Sequence, residues 1–464
     1  MNLTKQHVHF IGIGGYGMSA IARVLLDLNY EVSGSDVEKN ALVEKLIKRG
    51  ATVVIGHEAE NVIGADKVVY STSIAADNVE LVEATKRRIP TFHRSEMLAD
   101  LLNSKKGIAV AGAHGKTTTS SMLAQTLEIC EVDPTYIIGG EIVGLKGNAK
   151  AGKSDYVVAE ADESDGSFLA YHPHLAIVTN IEADHLENYD NDFAKLKQAY
   201  VEFINQVRPE GKAIIGWDDE HVRSIAKELT SNVVTYAIDT PADYMAKEIE
   251  PEGHLISFAV YHGDERLGKV TLQKPGRHNV LNALAVIVAS LSLGLSFHAI
   301  AEALYQFQGA KRRFQIIGEV NEILVIDDYA HHPTEIVATL AAAKAINRKI
   351  RVVFQPQRYS RTHLLMKEFS EAFGDADEVI INTLYAPAGE APIPGVNAER
   401  LAELIKVNSN PNTTFLATHA QVVDYLITHA EAGDVVFTMG AGDIWRVSHG
   451  LVEELVNVSK PSNI

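Results

Sequence analysis

Residues 108–123, IAVAGAHGKTTTSSML, decide the reading of this chain. The run of small and β-branched residues predicts a buried strand that stops at Gly112. A tight turn follows, holding Gly115, Lys116 and Thr117, and Met122, Leu123 and Leu127 then fall at helical spacing. Strand, glycine turn, Lys-Thr and helix start together make a phosphate cradle. Backbone N–H groups and the positive helix end face the anion, Lys116 supplies charge and Thr117 can reach Mg²⁺. The strict phosphate-loop pattern places a glycine five residues before the Gly-Lys pair. That position is Val110 here, so the loop is shortened to begin at Gly112. A glycine turn with an exposed lysine would not explain GKTTT at the turn, and ATP is the expected ligand.

The same strand–helix rhythm extends in both directions. HVHFIGIG, GMSAIARVLLDLNY, EVSGSD and ATVVIG alternate apolar strands with amphipathic helices from the start of the chain, which implies a parallel sheet with helices on both faces. A polar stretch at Asn103, Ser104, Lys105 and Lys106 marks a first boundary, and the region near Lys311 a second. The expected fold is α/β, three α/β domains in series over residues 1–105, 106–310 and 311–464. The length of 464 residues agrees with about 150 per domain. A net charge of −18 argues against nucleic acid or an anionic membrane as partner. The single cysteine, Cys130, excludes an intrachain disulfide and suits a cytoplasmic location. Residues 280–297 are apolar, but Asn282 and the polar residues before them favour a buried helix over a membrane span.

Further constellations carry chemistry. Gly12, Gly14, Gly15 and Gly17 spell G-x-G-x-x-G after a strand, with Asp36 ending the next strand. That fingerprint suits NAD(P), yet any diphosphate at a helix start satisfies the same physics. Glu160 ends the strand YVVAE, with Asp162, Glu163 and Asp165 beyond it; Glu182, Asp184 and His185 follow the strand LAIVTN. Carboxylates at the ends of neighbouring strands face the phosphate-loop crevice, where a triphosphate calls for Mg²⁺. On chemistry alone His185 is an awkward ligand for a hard ion. Asn279 and Asn282 share a helix face and could meet a nucleobase, although taken alone Asn279 is better explained by helix capping. Arg312 and Arg313 stand where the second domain passes to the third, either a surface basic pair or a source of charge for a transferring phosphoryl group. In the third domain, Asp327, Asp328, Tyr329, His331 and His332 end one strand, and Arg358 and Arg361 follow another. The two arginines could grip a carboxylate. The two histidines point apart and lack an evident third ligand for zinc.

Taken in order, HFIGIGGYGMSAIA with SGSD, GAHGKTTT, AEADESDGSF, TNIEADHLENY, GRHNVLNALA, KRRF, DDYAHHPTE and QPQRYSRT resemble the Mur ligases of bacterial cell-wall precursor synthesis. The resemblance spans essentially the whole chain and is greatest to the branch that joins L-alanine to UDP-N-acetylmuramate. It implies an ATP-dependent ligase that works through an acyl phosphate. Gly12, Gly14, Gly15, Gly17 and Met18, with Ser35, Asp36 and Ser71, would hold the UDP-sugar rather than NAD. Gly112, His114, Gly115, Lys116, Thr117, Thr118, Asn279, Asn282 and Arg313 would hold ATP, and Thr117, Glu160 and His185 would hold Mg²⁺. Lys116, Glu160, His185, Arg313 and Asp328 form the implied catalytic set, while Tyr329, His331, Arg358 and Arg361 would shape the muramyl and amino-acid end.

Some relatives carry a carbamylated lysine on the helix after the metal histidine. Tyr200 stands at that spacing here, so no such modification is expected. The rival readings are a nicotinamide-dependent oxidoreductase, which leaves GKTTT unexplained, and a nucleotide-binding module without ligase activity. A recycling ligase that attaches a preformed tripeptide is a nearer competitor, but its N-terminal glycine motif differs from GIGGYGMS. The expected partners are the two small substrates, with no nucleic acid, no membrane, and a monomer or homodimer as the working form.

Overall fold

The computed structural model describes residues 5–140, 142, 144–145, 147–184, 186–252, 255–309, 311–387 and 390–459. Among these residues the backbone forms three sheets that follow one another along the chain. The first contains β1 (His7–Ile11), β2 (Glu31–Asp36), β3 (Thr52–Ile55), β4 (Lys67–Tyr70) and β5 (Thr91–His93), all parallel, in the order β3-β2-β1-β4-β5. The central sheet contains β6 (Lys106–Ala111), β7 (Thr135–Ile137), β8 (Ala149–Lys150), β9 (Tyr156–Glu160), β10 (Leu175–Val178), β11 (Lys212–Gly216), β12 (Val233–Ala237), β13 (Tyr244–Glu252), β14 (Leu255–His262) and β15 (Glu265–Leu272). Their order is β15-β14-β13-β12-β11-β10-β6-β9-β7-β8, with β6 parallel to both β9 and β10. The third contains β16 (Gln315–Val320), β17 (Ile323–Asp328), β18 (Lys349–Phe354), β19 (Glu378–Ile381), β20 (Thr413–Phe415) and β21 (Asp434–Met439), in the order β16-β17-β21-β18-β19-β20. Only β16 runs antiparallel to its neighbour.

The apolar runs give these strands their place. In the third sheet, Val352 and Phe354 belong to one core cluster and Val353 to another; Val435 and Phe437 are likewise separated from Val436. Alternate side chains therefore bury both faces, as a parallel sheet between helices requires. Of residues 280–297, expected as a buried helix, those up to 292 belong to the helix Arg277–Ser292, with Val280, Ala283, Leu284 and Ile287 all fully buried. No helix among the described residues is long and apolar enough to cross a membrane.

Backbone proximity groups the chain into two compact bodies. One comprises Met1–Glu248, Phe258–Val270 and Leu281–Phe307; the other comprises Ile249–Ser257, Thr271–Val280 and Gln308–Ile464. The first two sheets thus share a body. A single apolar cluster runs from Val8 and Phe10 through Met97 and Leu102 to Ala109, Val178 and Ile215. The helices Tyr16–Asp27 and Arg94–Asn103 pack onto central-sheet strands, and this carries the core across the expected boundary.

Within the first sheet a polar knot is buried beneath the strand ends. Glu80, fully buried, accepts from Ser35 Oγ at 2.7 Å, Asn61 Nδ2 at 2.7 Å, His9 Nε2 at 3.1 Å and the Glu58 N–H at 3.2 Å. Burial alone would raise this carboxyl, but the bonds from His9, Ser35 and Asn61 hold it down to about 2. A depressed folded pKa contributes stability above the ordinary glutamate value, and that contribution is lost as pH falls toward 2. Glu80→Ala should cost on the order of 3–5 kcal/mol at pH 7 in urea unfolding. The deficit should shrink steadily below about pH 4. A deficit independent of pH would show that packing, rather than the charge, is what Glu80 supplies.

Candidate active site

The phosphate loop forms where β6 ends. Gly115 caps the helix Lys116–Ile129 in a left-handed conformation, φ +85°, and a Cβ there would stand 2.7 Å from Asn282 Oδ1. Glycine thus gives the turn its shape and lets Asn282, buried on its own helix, close against the loop. From the end of β10, Asn180 Oδ1 accepts the His114 N–H at 2.9 Å, and Thr179 Oγ1 donates to the His114 carbonyl at 2.6 Å. The His114 ring in turn lies 2.9 Å from Glu182. Thr118 is half-buried on the first turn of the helix.

Lys116 Nζ bonds the Gly112 carbonyl at 2.6 Å and both oxygens of Glu163, at 2.7 and 2.8 Å. Burial would lower the pKa of this ammonium, but Glu163 and Asp162 carry it above the ordinary lysine value, so it stays charged. Glu163 received no role from the sequence. The signal for it was the need of a buried phosphate-loop lysine for a counter-charge, met within the acidic run.

Glu160 ends β9 beside the loop. Its Oε2 lies 3.2 Å from Thr117 Oγ1, and its Oε1 accepts from the Gly139 N–H at 2.7 Å. Two hard oxygen donors at that separation fit one divalent cation such as Mg²⁺. His185, expected as the third ligand, lies outside the described residues. Tyr200, on the helix Phe193–Asn205, is almost wholly buried, and its hydroxyl has no hydrogen-bond partner among the described residues. A phenol cannot form a carbamate, so the bridging group of some relatives has no counterpart at this position.

The glycine turn of the first sheet is held from within. Asp36 Oδ2 accepts the Gly14 N–H at 2.7 Å, and Oδ1 accepts the Val37 N–H at 2.8 Å. This acid therefore shapes the turn, where the dinucleotide fingerprint would have it take a ribose. Ser35 is fully buried; its hydroxyl donates to Glu80 at 2.7 Å and lies 2.9 Å from His57 Nδ1. Met18 is also buried, in the core. Gly12 and Gly15 close the turn through a 3.2 Å backbone bond, and Ser71 follows β4 at the same edge of the sheet. Between this turn and the phosphate loop opens a cleft lined by Tyr16, Gly17 and Arg94 from the first domain and by Lys116, Glu160 and Asp162 from the second.

The remaining candidates belong to the second body. Asn279 Nδ2 donates to the Pro275 carbonyl at 2.8 Å, the local bond of a helix start. Asp328 is buried, and its two oxygens accept the Phe314 N–H at 2.7 Å and the Ala330 N–H at 2.8 Å. It ties the KRRF turn to the DDYAHHP loop, the work of a positioning group. Arg312 is structural: it pairs with Asp327 at 2.9 Å and donates to the carbonyls of Gly440 and Gly442. Arg313 lies 5.0 Å from the centre of the Tyr329 ring and 3.6 Å from Glu335, with its guanidinium partly exposed.

His331 Nδ1 lies 2.9 Å from the Tyr329 carbonyl. Burial, reinforced by Arg361 and Arg313 against the pull of Glu335, pushes its ring down to about 4, so it is neutral near pH 7. Arg361 lies 3.3 Å from Gln357, whereas Arg358 precedes its helix with φ +67° and is exposed. The two arginines are thus held in different surroundings, not as a ready-made fork. Lys274, which the sequence did not single out, donates to the Phe314 carbonyl at 2.9 Å. Its burial brings its pKa down to about 8 despite the pull of Asp328.

Known proteins share this arrangement. Residues 7–106 match the Mur ligase family catalytic domain, 110–290 the Mur ligase middle domain, and 312–442 the Mur ligase glutamate ligase domain. The UDP-N-acetylmuramate–L-alanine ligase of Symbiobacterium thermophilum is 48% identical over 460 residues, covering 98% of this chain and 95% of that protein. The enzyme of the same name from Geotalea uraniireducens is 48% identical over 451 residues, covering 97% and 98%. Among solved structures, the UDP-N-acetylmuramate–alanine ligase of Thermotoga maritima superposes with a TM-score of 0.81 at 31% identity, covering 98% of this chain and all of that one. A murein peptide ligase from Psychrobacter arcticus gives 0.67 at 26% identity, with the same coverage. With three consecutive domain matches and a phosphate loop, acid pair and glycine turn built as described, the chain belongs to the Mur ligase family.

Proposed function

We propose that this protein is an ATP-dependent amide ligase that joins L-alanine to the lactyl carboxylate of UDP-N-acetylmuramate, releasing ADP and phosphate. One observation carries the reading. The glycine turn suited to a diphosphate and the loop suited to a triphosphate open onto one cleft, with Gly17 on one wall and Lys116 and Glu160 on the other. A UDP-sugar anchored at the first can present its far end to a nucleotide anchored at the second. The alanine-adding relatives at 46–48% identity favour L-alanine as the incoming amine over a tripeptide.

A carboxylate does not yield an amide until its oxygen becomes a good leaving group. Attack of the lactyl carboxylate on the γ-phosphorus of ATP supplies one, giving an acyl phosphate and ADP. The alanine amine then adds to the acyl carbon, and phosphate departs as the C–O bond breaks. Lys116 moves from Glu163 to the phosphates and opposes the negative charge that builds there. Arg313, through its exposed guanidinium, is proposed to add charge to the same group. Thr117 and Glu160 would hold Mg²⁺, which when bound neutralises phosphate oxygens. Asp328 keeps the Arg313 turn in place through the Phe314 N–H. Neutral His331 and Arg361 are proposed to receive the amino-acid end. ATP and the UDP-sugar place the reaction in the cytoplasm.

A phosphate-release assay with ATP, Mg²⁺ and UDP-N-acetylmuramate decides the substrate, with L-alanine, glycine, L-serine or tripeptide added in turn. Release should be fastest with L-alanine, and dependence on tripeptide alone would reassign the chain to the recycling branch. Lys116→Ala and Arg313→Ala should each lower kcat by about 10³-fold, while leaving the affinity for the UDP-sugar nearly unchanged. Near-normal turnover in Arg313→Ala would remove that residue from the reaction. Thr117→Val should shift the Mg²⁺ dependence of the rate to higher concentration, and an unchanged Mg²⁺ titration would clear Thr117 of a metal role.

A further inference from the structure

We infer that Arg94 is the guanidinium that grips the diphosphate of the UDP-sugar, and that residue 17 is glycine so that this arginine can reach it. The inference rests on the assignment of the 12–17 turn to the UDP-sugar and names a residue that the glycine fingerprint does not contain. Arg94 opens the helix Arg94–Asn103 and lines the cleft beside Tyr16 and Gly17, across from Lys116 and Glu160. A Cβ on Gly17 would lie 2.8 Å from Arg94 Nη1 and 3.1 Å from its Cδ, so the side chain lies directly on the backbone of the turn. Any larger residue at 17 would push the guanidinium away.

No hydrogen bond or ion pair joins the Arg94 side chain to another of the described residues, although Asp162, Asp165 and Glu160 lie in the same region. Its neighbour His93 is held down by burial and by Arg94 itself, so the ring stays neutral and Arg94 carries the positive charge at this point. Glu96 answers the positive end of this helix, its carboxylate accepting the His93 N–H at 2.6 Å, while Arg94 lines the cleft. Arg312, Arg313 and Arg361 each have a carbonyl, carboxylate or ring against them, whereas Arg94 lines the cleft. A planar five-donor fork suits two phosphate oxygens at once, where a lysine would offer a point charge. With the diphosphate held there, the sugar must extend away from the turn, toward the wall that carries Lys116.

Calorimetric binding of UDP-N-acetylmuramate, UDP and UMP to wild type, Arg94→Ala, Arg94→Lys and Gly17→Ala, together with steady-state KM values, tests this. Arg94→Ala should weaken UDP-N-acetylmuramate and UDP by about tenfold or more, leave UMP and the KM for ATP within about twofold, and melt at the wild-type temperature. Arg94→Lys should fall between the two, and Gly17→Ala should follow Arg94→Ala. Unchanged affinity for UDP in Arg94→Ala overturns the inference. So does a loss confined to UDP-N-acetylmuramate, which would move the guanidinium to the lactyl carboxylate. If wild type itself binds no uridine nucleotide, the assignment of the turn fails, whatever Arg94 does.

Discussion

A lysine ammonium enclosed at a phosphate loop has to be neutralised by something, and in this chain Glu163 does so with both oxygens. The pair sets the conditions under which the nucleotide site works. Two opposite charges taken out of water gain from each other only with near-ideal geometry, and removal of one partner leaves the other stranded. A triphosphate therefore has to offer Lys116 at least what Glu163 offers. Glu163 is itself fixed, since the Tyr189 hydroxyl bonds its carbonyl and its side chain is buried. The loop is thus braced by the chain's own groups, and β6, β9 and β10 deliver Lys116, Glu160 and Asn180 to one edge of the sheet.

The letters of a motif and the use made of them diverge in the first domain. G-x-G-x-x-G followed by an acid is the pattern of dinucleotide sites. Here the acid is spent on the turn itself, with Asp36 accepting from Gly14 and Val37. Ser35 goes into the Glu80 knot with His9 and Asn61. The same residues that would read a ribose in another protein stiffen the strand ends in this one. Glycine spacing reports a close approach of backbone to something; which partner approaches is settled by side chains distant in sequence, such as Arg94.

Periodicity made the three sheets legible, because buried parallel strands need uninterrupted β-branched runs and few other segments supply them. The phosphate loop was legible because strand, glycine and Lys-Thr occur together at residues 108–117. Contacts that join residues far apart were not legible. Glu163 stood as one more acid in a polar run, nothing singled out Lys274, and spacing alone did not tell the surroundings of Asp327 from those of Asp328. In the structure Asp327 faces Arg312 and Thr438, while Asp328 faces the Phe314 and Ala330 backbone. Adjacent residues on a strand point to opposite faces, so one shift of register would exchange their roles. A polar stretch marks where the chain turns, but the apolar cluster crosses it through helices whose outer faces are buried.

The KRRF turn shows why a strained segment can be informative. Arg312 and Phe314 both have left-handed backbones, with φ of +61° and +47°. For residues with a Cβ each such conformation costs on the order of 1 kcal/mol or more, and it persists only where the surroundings impose it. Here they do so several times over. Asp328 holds the Phe314 N–H, Lys274 the Phe314 carbonyl, and Gln315 and Asp327 the Arg312 N–H and guanidinium. A turn with no task could relax by substitution to glycine or by a change of length. One whose two flanking residues are clamped on both sides, with Arg313 left partly exposed between them, is built to aim that side chain. The backbone strain and the buried lysine are therefore best understood together, as the cost of fixing one guanidinium in direction.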